Sequence, residues 1–359
     1  MCRLIPAGRR NVTLVVRLDA IGDFFLWLQS GALDISRYAR NSGRRAVLVA
    51  NRSWADYARQ IGLWDDVIGV DTRRLMWSPV YRLRVFGRIR ALGAEVLIQP
   101  RPARVFLQED ALARVSGAEL RIGSAGTLLN LTPRQRSFGN RYYDRLIGVD
   151  ETWGIHESVR NHQFVLALTG GPSTPFPLAS DPGGRPNDAV VVVLGAGDPG
   201  RVWPLEKLAK LVRHIRDRHP SLSILLLGVS ADRALAKSLE EVAGIDLENR
   251  VGEATFQQYV DAIAGSRLVI CNDSSAYHIA MALGKSVLCF FGGGHPGWFV
   301  PYPANGRYSN RAVAVNVPMD CYGCNWNCRY PRAAGGAFRC VEAISTDVAI
   351  ASSESLLST

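Results

Sequence analysis

No apolar stretch in the 359 residues approaches the roughly 18 needed to cross a bilayer. The longest, 189–194 and 286–291, are strand-sized and run straight into glycine. A secretory h-region is missing too, because the apolar residues 12–16 follow Arg9 and Arg10 and are broken by Arg17 and Asp19. These absences predict a cytoplasmic protein. Nor is there a basic run interleaved with aromatics: Arg9, Arg10, Arg44, Arg45, Arg73, Arg74, Arg82 and Arg84 are scattered, so specific nucleic-acid binding is unsupported. The formal charge of +10 still favours anionic partners such as a phosphorylated glycolipid, a membrane surface or a nucleotide. A solvated basic face explains it equally well. With 47% hydrophobic and 21% charged residues, the chain has globular composition.

What is present is alternation. Short β-branched runs at 12–17, 46–51, 95–99, 189–195, 223–228, 267–272 and 286–291 end in Gly, Asp, Asn or another turn-compatible residue, with amphipathic stretches between. Segment 205–218 carries Leu205, Leu208, Leu211, Val212 and Ile215 at helical spacing between Pro204 and Pro220. This is the βαβ pattern of parallel sheets covered on both faces, an α/β fold. Residues 169–187 are too rich in proline and glycine for regular structure and mark a linker. The expected organisation is an α/β domain over 1–168, the linker, a second α/β domain over 188–342 and a terminal helix or tail over 343–359. In such sheets ligands bind at the carboxyl ends of the strands, so chemistry is sought there in both halves.

After the first run, Gly22 permits a tight turn and Asp23 opens the next helix. Asp23 is either a helix cap or a general base. After the run at 189–195, Gly195, Gly197 and Gly200 spell G-x-G-x-x-G, but Pro199 interrupts the helix that a dinucleotide site requires. That segment reads instead as a flexible loop bringing Arg201 to a phosphate, with a plain surface arginine as the alternative. After 267–272, Asp273, Ser274, Ser275 and Ala276 form a polar turn at a helix start, an anion cradle of free amides. His278 lies one turn on, on the face of Ser274. Gly292, Gly293 and Gly294 follow the next run and suit close backbone approach to a ligand or a simple turn, and Trp298 suits stacking on a base or sugar.

Of seven cysteines, Cys321, Cys324, Cys328 and Cys340 cluster. In a reducing compartment that spacing suits a structural zinc or iron site, with ordinary surface thiols as the alternative. Cys2, Cys271 and Cys289 stand apart.

Arg17–Leu18–Asp19–Ala20–Ile21–Gly22–Asp23, Trp203–Pro204, Asn272 through Ala280, Ala282–Leu283–Gly284–Lys285, Phe291–Gly292 and Pro301–Tyr302, in that order, resemble glycosyltransferase family 9, the ADP-heptose:lipopolysaccharide heptosyltransferases. The resemblance implies a GT-B fold, two doubly wound Rossmann-like domains facing across a cleft, the first binding acceptor and the second a nucleotide-diphosphate sugar. It implies inverting transfer of a heptose from ADP-heptose to a lipopolysaccharide core or another glycan, with no metal or other cofactor in catalysis; the basic charge is compatible with peripheral contact with the inner membrane. Asp23 takes the general base's position. Gly22, Arg201, Asp273, Ser274, Ser275, His278 and Gly292 take donor-binding positions, with Arg201 where relatives often have lysine. The sequence departs from the family at Ser275–Ala276, where Gly-Pro is common, and at Gly292–Gly293–Gly294–His295, where a Thr or Ser is usual. The cysteine cluster resembles one in several family branches, including some that glycosylate protein rather than lipid, so a protein-glycosylating heptosyltransferase is one alternative. A UDP-sugar epimerase, a nicotinamide-dependent oxidoreductase and a metal-stabilised binding protein are the others.

Overall fold

The computed structural model describes residues 11–178, 188–304 and 309–358, in two compact units that divide between Phe176 and Pro177. The first unit begins β1 (Val12–Arg17), α1 (Ile21–Ser30), α2 (Ala32–Ala39), β2 (Arg45–Asn51), α3 (Arg52–Gln60) and β3 (Asp66–Val70). It continues α4 (Thr72–Trp77), α5 (Pro79–Ala91), β4 (Val96–Gln99), α6 (Ala111–Ser116), β5 (Leu120–Ser124), α7 (Pro133–Asn140), β6 (Arg145–Ile147) and α8 (Glu157–Thr169). Its parallel sheet has the order β3-β2-β1-β4-β5-β6. All six residues of β1 are buried, as expected of a central strand with helices on both faces. The order reverses between β1 and β4, which opens a crevice beyond their carboxyl ends.

The second unit runs β7 (Ala189–Val193), α9 (Leu205–Arg218), β8 (Ser223–Leu227), α10 (Arg233–Ala243), β9 (Glu248–Asn249), α11 (Phe256–Ala264) and β10 (Leu268–Asn272). Then come α12 (Ser275–Ala282), β11 (Val287–Phe290), β12 (Ala312–Val315), α13 (Arg339–Glu342) and α14 (Thr346–Leu357). Its sheet order is β12-β11-β10-β7-β8-β9, so the reversal falls between β7 and β10. The apolar stripe of α9, Leu208, Leu211, Val212 and Ile215, packs into one core with Val190, Val192 and Ile270. Ala349, Leu356 and Leu357 of α14 join that core, so the terminal helix is part of this unit.

The seven runs legible in the sequence are all strands, with bounds that agree to within two residues at each end. Five further strands, β3, β5, β6, β9 and β12, complete the sheets. The first part of the expected linker is built onto the first unit: Phe176 N–H donates to Leu28 O at 2.8 Å, and Gln29 Nε2 donates to Phe176 O at 3.0 Å. Residues 179–187 of that linker, and Cys2, lie outside the described residues.

Candidate active site

In the first unit the loop from β1 to α1 is held rigidly. Asn51 Nδ2 donates to the Leu18 and Asp19 carbonyls at 3.1 and 3.2 Å, Trp54 Nε1 donates to Asp19 O at 3.0 Å, and Phe24 stacks on Trp54 at 4.2 Å. Asp23 is not the helix cap. It lies at the third helical position, where its Oδ2 accepts from Ala20 N–H at 3.2 Å, and its side chain remains partly exposed at the strand end. Cap chemistry and a free carboxylate edge are therefore compatible, because one oxygen is used and the other is not committed to the helix.

Around Asp23 stands a buried charge network that sequence reasoning missed. Arg17 Nε donates to Asp19 Oδ2 at 2.6 Å, Arg101 Nε lies 3.8 Å from the same oxygen, and Arg101 Nη1 donates to Glu109 Oε1 at 2.7 Å. Arg101 follows β4, on the other side of the crevice from Asp19. Burial alone would lower Arg101, but Glu109, then Asp19 and Asp23, hold it charged beyond the usual range. Asp19 moves up because burial outweighs Arg17 and Arg101. Arg17 Nη2 and Asp19 Oδ1 are buried without hydrogen-bond partners among the described residues. Glu157, at the start of α8, is pushed up to about 7, first by burial, with Arg17 opposing and Asp23 adding to the rise.

The Glu157 shift has a measurable consequence. An unfolded chain ionises this carboxyl near its ordinary 4.5 and the folded chain only near 7. Its contribution to stability is therefore complete below about 4.5 and is lost as pH rises through 7, a difference on the order of 3 kcal/mol. Denaturant unfolding at pH 5 and pH 8 is expected to show a smaller pH dependence in Glu157→Gln than in the wild type. An unchanged dependence would remove Glu157 as its source.

In the second unit the site forms where β7 and β10 end. Asn272, the last residue of β10, donates from Nδ2 to Leu194 O at 2.7 Å and accepts from Trp203 N–H at 2.9 Å. It thus ties the two loops together. Trp203 stacks on Phe290 at 4.1 Å and donates from Nε1 to Ile344 O at 3.2 Å, which explains the position of the Trp203–Pro204 pair. Ser274 is the cap of α12, yet its hydroxyl bonds to no backbone amide; Oγ is buried and without a partner among the described residues. The first-turn amides of Ser275 and Ala276 have no intrahelical acceptor. A buried hydroxyl without a partner thus stands beside first-turn amides that have no intrahelical acceptor. Burial raises the Asp273 carboxyl, opposed by Arg201 and then by His295, so these three groups share one electrostatic environment.

Other expectations are corrected. The 195–201 segment is a defined turn, since Pro199–Arg201 forms a short 3₁₀ helix in which Asp198 Oδ1 accepts from Gly200 N–H at 2.7 Å. A Cβ on Gly195 would meet the Asp232 carboxylate at 2.4 Å, and one on Gly200 would meet Arg332 at 2.3 Å and Phe338 at 2.6 Å. These glycines serve internal packing. His278 is buried and pushed down to about 4 by desolvation, hence neutral, with Nδ1 at 3.2 Å from the Tyr302 hydroxyl. It brings no positive charge to an anion. Trp298 is buried, its ring stacked on His295 at 5.8 Å, rather than presented to a ligand.

Gly292, Gly293 and Gly294 make room for protein. Added Cβ atoms would meet Cys340 Sγ at 3.0 Å, the Tyr322 ring at 2.2 Å and the Trp326 ring at 2.1 Å respectively. The cysteine-rich segment packs against all three glycines. The six described cysteines are free thiols, and Cys321, Cys324, Cys328 and Cys340 line one pocket with Met319, Trp326 and Phe338. The donors are right in type and number for a zinc or iron ion. Among the described residues, however, no three His, Cys, Asp or Glu side chains stand in a metal-holding arrangement.

The chain is 25% identical over 115 residues to lipopolysaccharide heptosyltransferase 2 of Escherichia coli K12, covering 30% of this chain and 32% of that protein. It is 30% identical over 125 residues to lipooligosaccharide heptosyltransferase 2 of Haemophilus ducreyi, covering 33% and 34%. The matched stretches thus span about a third of each curated relative. The solved structure of E. coli ADP-heptose lipopolysaccharide heptosyltransferase II superposes with a TM-score of 0.68 over 96% of this chain and 98% of that one, at 15% identity, which shows a shared fold. Residues 165–325 match the model of glycosyltransferase family 9 (heptosyltransferase), and they include Arg201, the Asp273–Ala276 turn and two of the four clustered cysteines.

Proposed function

We propose that the protein is an inverting glycosyltransferase that moves a heptose from ADP-heptose to a lipopolysaccharide core or related glycan. The observation that carries this is the pair of strand-end constellations, each at the reversal point of its own sheet. In the second unit the amides of Ser275 and Ala276, the Ser274 hydroxyl and Arg201 receive the donor diphosphate. In the first unit Asp23 takes the proton from the acceptor hydroxyl as that oxygen attacks the anomeric carbon. The sugar–phosphate bond then breaks, and the electron pair stays on the departing diphosphate. Arg201 and the start of α12 meet that growing charge, the electrostatic assistance on which such transfers depend. The neutral His278 and the buried Gly292 act behind this surface, as support for α12 and for the loop after β11.

The test is nucleotide release from ADP-heptose and from ADP-, UDP- and GDP-hexoses, with and without lipopolysaccharide core acceptor. Acceptor-dependent ADP release from ADP-heptose is expected. Release from a UDP- or GDP-sugar instead would refute the donor assignment.

We also propose that the four clustered cysteines, which line one pocket without standing in a metal-holding arrangement, close on a structural zinc or iron ion that would cross-link the segment holding Trp326 and take no part in transfer. Elemental analysis should find about one such ion per chain; a metal-free, fully folded protein would refute it.

A membrane-facing surface is part of the same reading. Residues 72–91 contain six arginines and no acid, and none of those arginines forms an ion pair among the described residues. Beside them Trp77, Val80 and Leu83 are 80%, 60% and 56% exposed. Basic charge with an interfacial tryptophan fits the surface of an anionic bilayer, where each arginine contributes about 1 kcal/mol. Vesicles containing anionic lipid should sediment with the protein, zwitterionic vesicles should not, and Trp77→Ser with Leu83→Ser should weaken binding about tenfold. Equal binding by that double variant would exclude this face.

A further inference from the structure

Arg201 is fixed at two levels within the second unit. Its backbone closes the Asp198-capped turn, and two residues later Trp203 N–H is held by Asn272. Its guanidinium carbon lies 4.0 Å from the centroid of the Trp326 ring, a close cation–π distance. Its Nε is buried with no hydrogen-bond partner among the described residues. The side chain is therefore held by a ring face and leaves a donor uncommitted.

Trp326 is itself tightly constrained. It and Asn325 both adopt positive φ, 61° and 49°, which non-glycine residues hold only where their surroundings impose it. The indole rests on Gly294, where any Cβ would intrude to 2.1 Å, and stacks on Phe338 at 5.5 Å. Its Nε1 donates to His295 Nδ1 at 3.3 Å, and Asn325 N–H donates to Gly294 O at 3.1 Å. The glycines after β11 and the segment from Cys321 to Cys328 thus build a seat for one ring.

We propose that Trp326 is a positioning residue for Arg201: the cysteine-rich segment is a brace that aims the guanidinium at the donor diphosphate. This deepens the donor-binding role given to Arg201 above and rests on it. The brace explains why three consecutive glycines are filled by protein rather than by ligand, and why a polar loop ends in an arginine with an aromatic floor.

The experiment is calorimetric titration of the full chain with ADP, for the wild type, Trp326→Phe, Trp326→Leu, Arg201→Ala and Arg201→Ala/Trp326→Leu. Phenylalanine and leucine both fill the seat, but only phenylalanine offers a π face. The leucine variant is expected to bind ADP about three- to thirtyfold more weakly, and the phenylalanine variant to keep most of the affinity. In the Arg201→Ala background the leucine substitution should cost nothing further. Wild-type affinity in Trp326→Leu beside weakened binding in Arg201→Ala overturns the brace alone. Equal losses for phenylalanine and leucine, or an undiminished loss in the double variant, also overturn it. Wild-type affinity in Arg201→Ala is a separate pattern: it removes the donor role of Arg201, and the brace falls with it.

Discussion

Asp23→Asn is expected to lower turnover about 10²- to 10⁴-fold, the usual contribution of a positioned general base, while ADP binds with wild-type affinity. Asparagine is nearly isosteric, and its side-chain oxygen still accepts the Ala20 amide that Asp23 accepts at 3.2 Å, so the first turn of α1 is preserved. What it removes is proton acceptance. The loop itself is pinned from outside by Asn51 and Trp54, so the substitution has little structural room to act in any other way. Single-turnover kinetics with saturating donor would measure it. Turnover within threefold of wild type would show that another group takes the proton, and the buried neighbours Asp19 and Glu157 would be examined next.

The second large effect is expected at Arg201. Arg201→Ala should reduce kcat/KM about 10²- to 10³-fold, with part of the loss in kcat, because charge on the departing diphosphate is greatest in the transition state. Arg201→Lys tests geometry at constant charge. Lysine offers a point charge without the planar fork and stacks poorly on an indole, so it should recover only part of the rate. Complete recovery would mean that charge alone suffices at this position and that the ring beneath it is incidental to turnover. A loss confined to KM would place Arg201 in ground-state binding only.

The legible part of the fold was its centre. Strands β1, β7 and β10 are flanked by other strands and covered on both faces, so they appear as uninterrupted β-branched runs. Four of the five strands that escaped notice, β3, β6, β9 and β12, are sheet edges, and three of those have only three, two and four residues. Such strands carry too few residues for a period to show, and β3 and β5 also hold Asp66 and Arg121 within them. At the candidate site, strand ends point to Asp23, Arg201 and the turn at Asp273, because strand ends are local features. Glu157 and Trp326 reach the site from distant segments. Arg101 was within reach of the same logic, since it follows the run ending at Gln99. The glycines misled for a physical reason: absence of a side chain signals close approach, and does not say whether a ligand or an indole does the approaching.

Both sheets use the same strand order, and each places its functional groups at the same architectural point. The chemical character there is opposite. The first crevice gathers the carboxyl groups of Asp19, Asp23, Glu109 and Glu157, of which burial pushes up Asp19 and Glu157. The second gathers amide hydrogens, a hydroxyl and a guanidinium, which respond to dissolved anions instead. Titrating acid should consequently modulate the chemical step, whereas phosphate or sulfate in the medium should compete for the nucleotide seat, so that two ordinary buffer variables address the two halves of one duplicated plan independently.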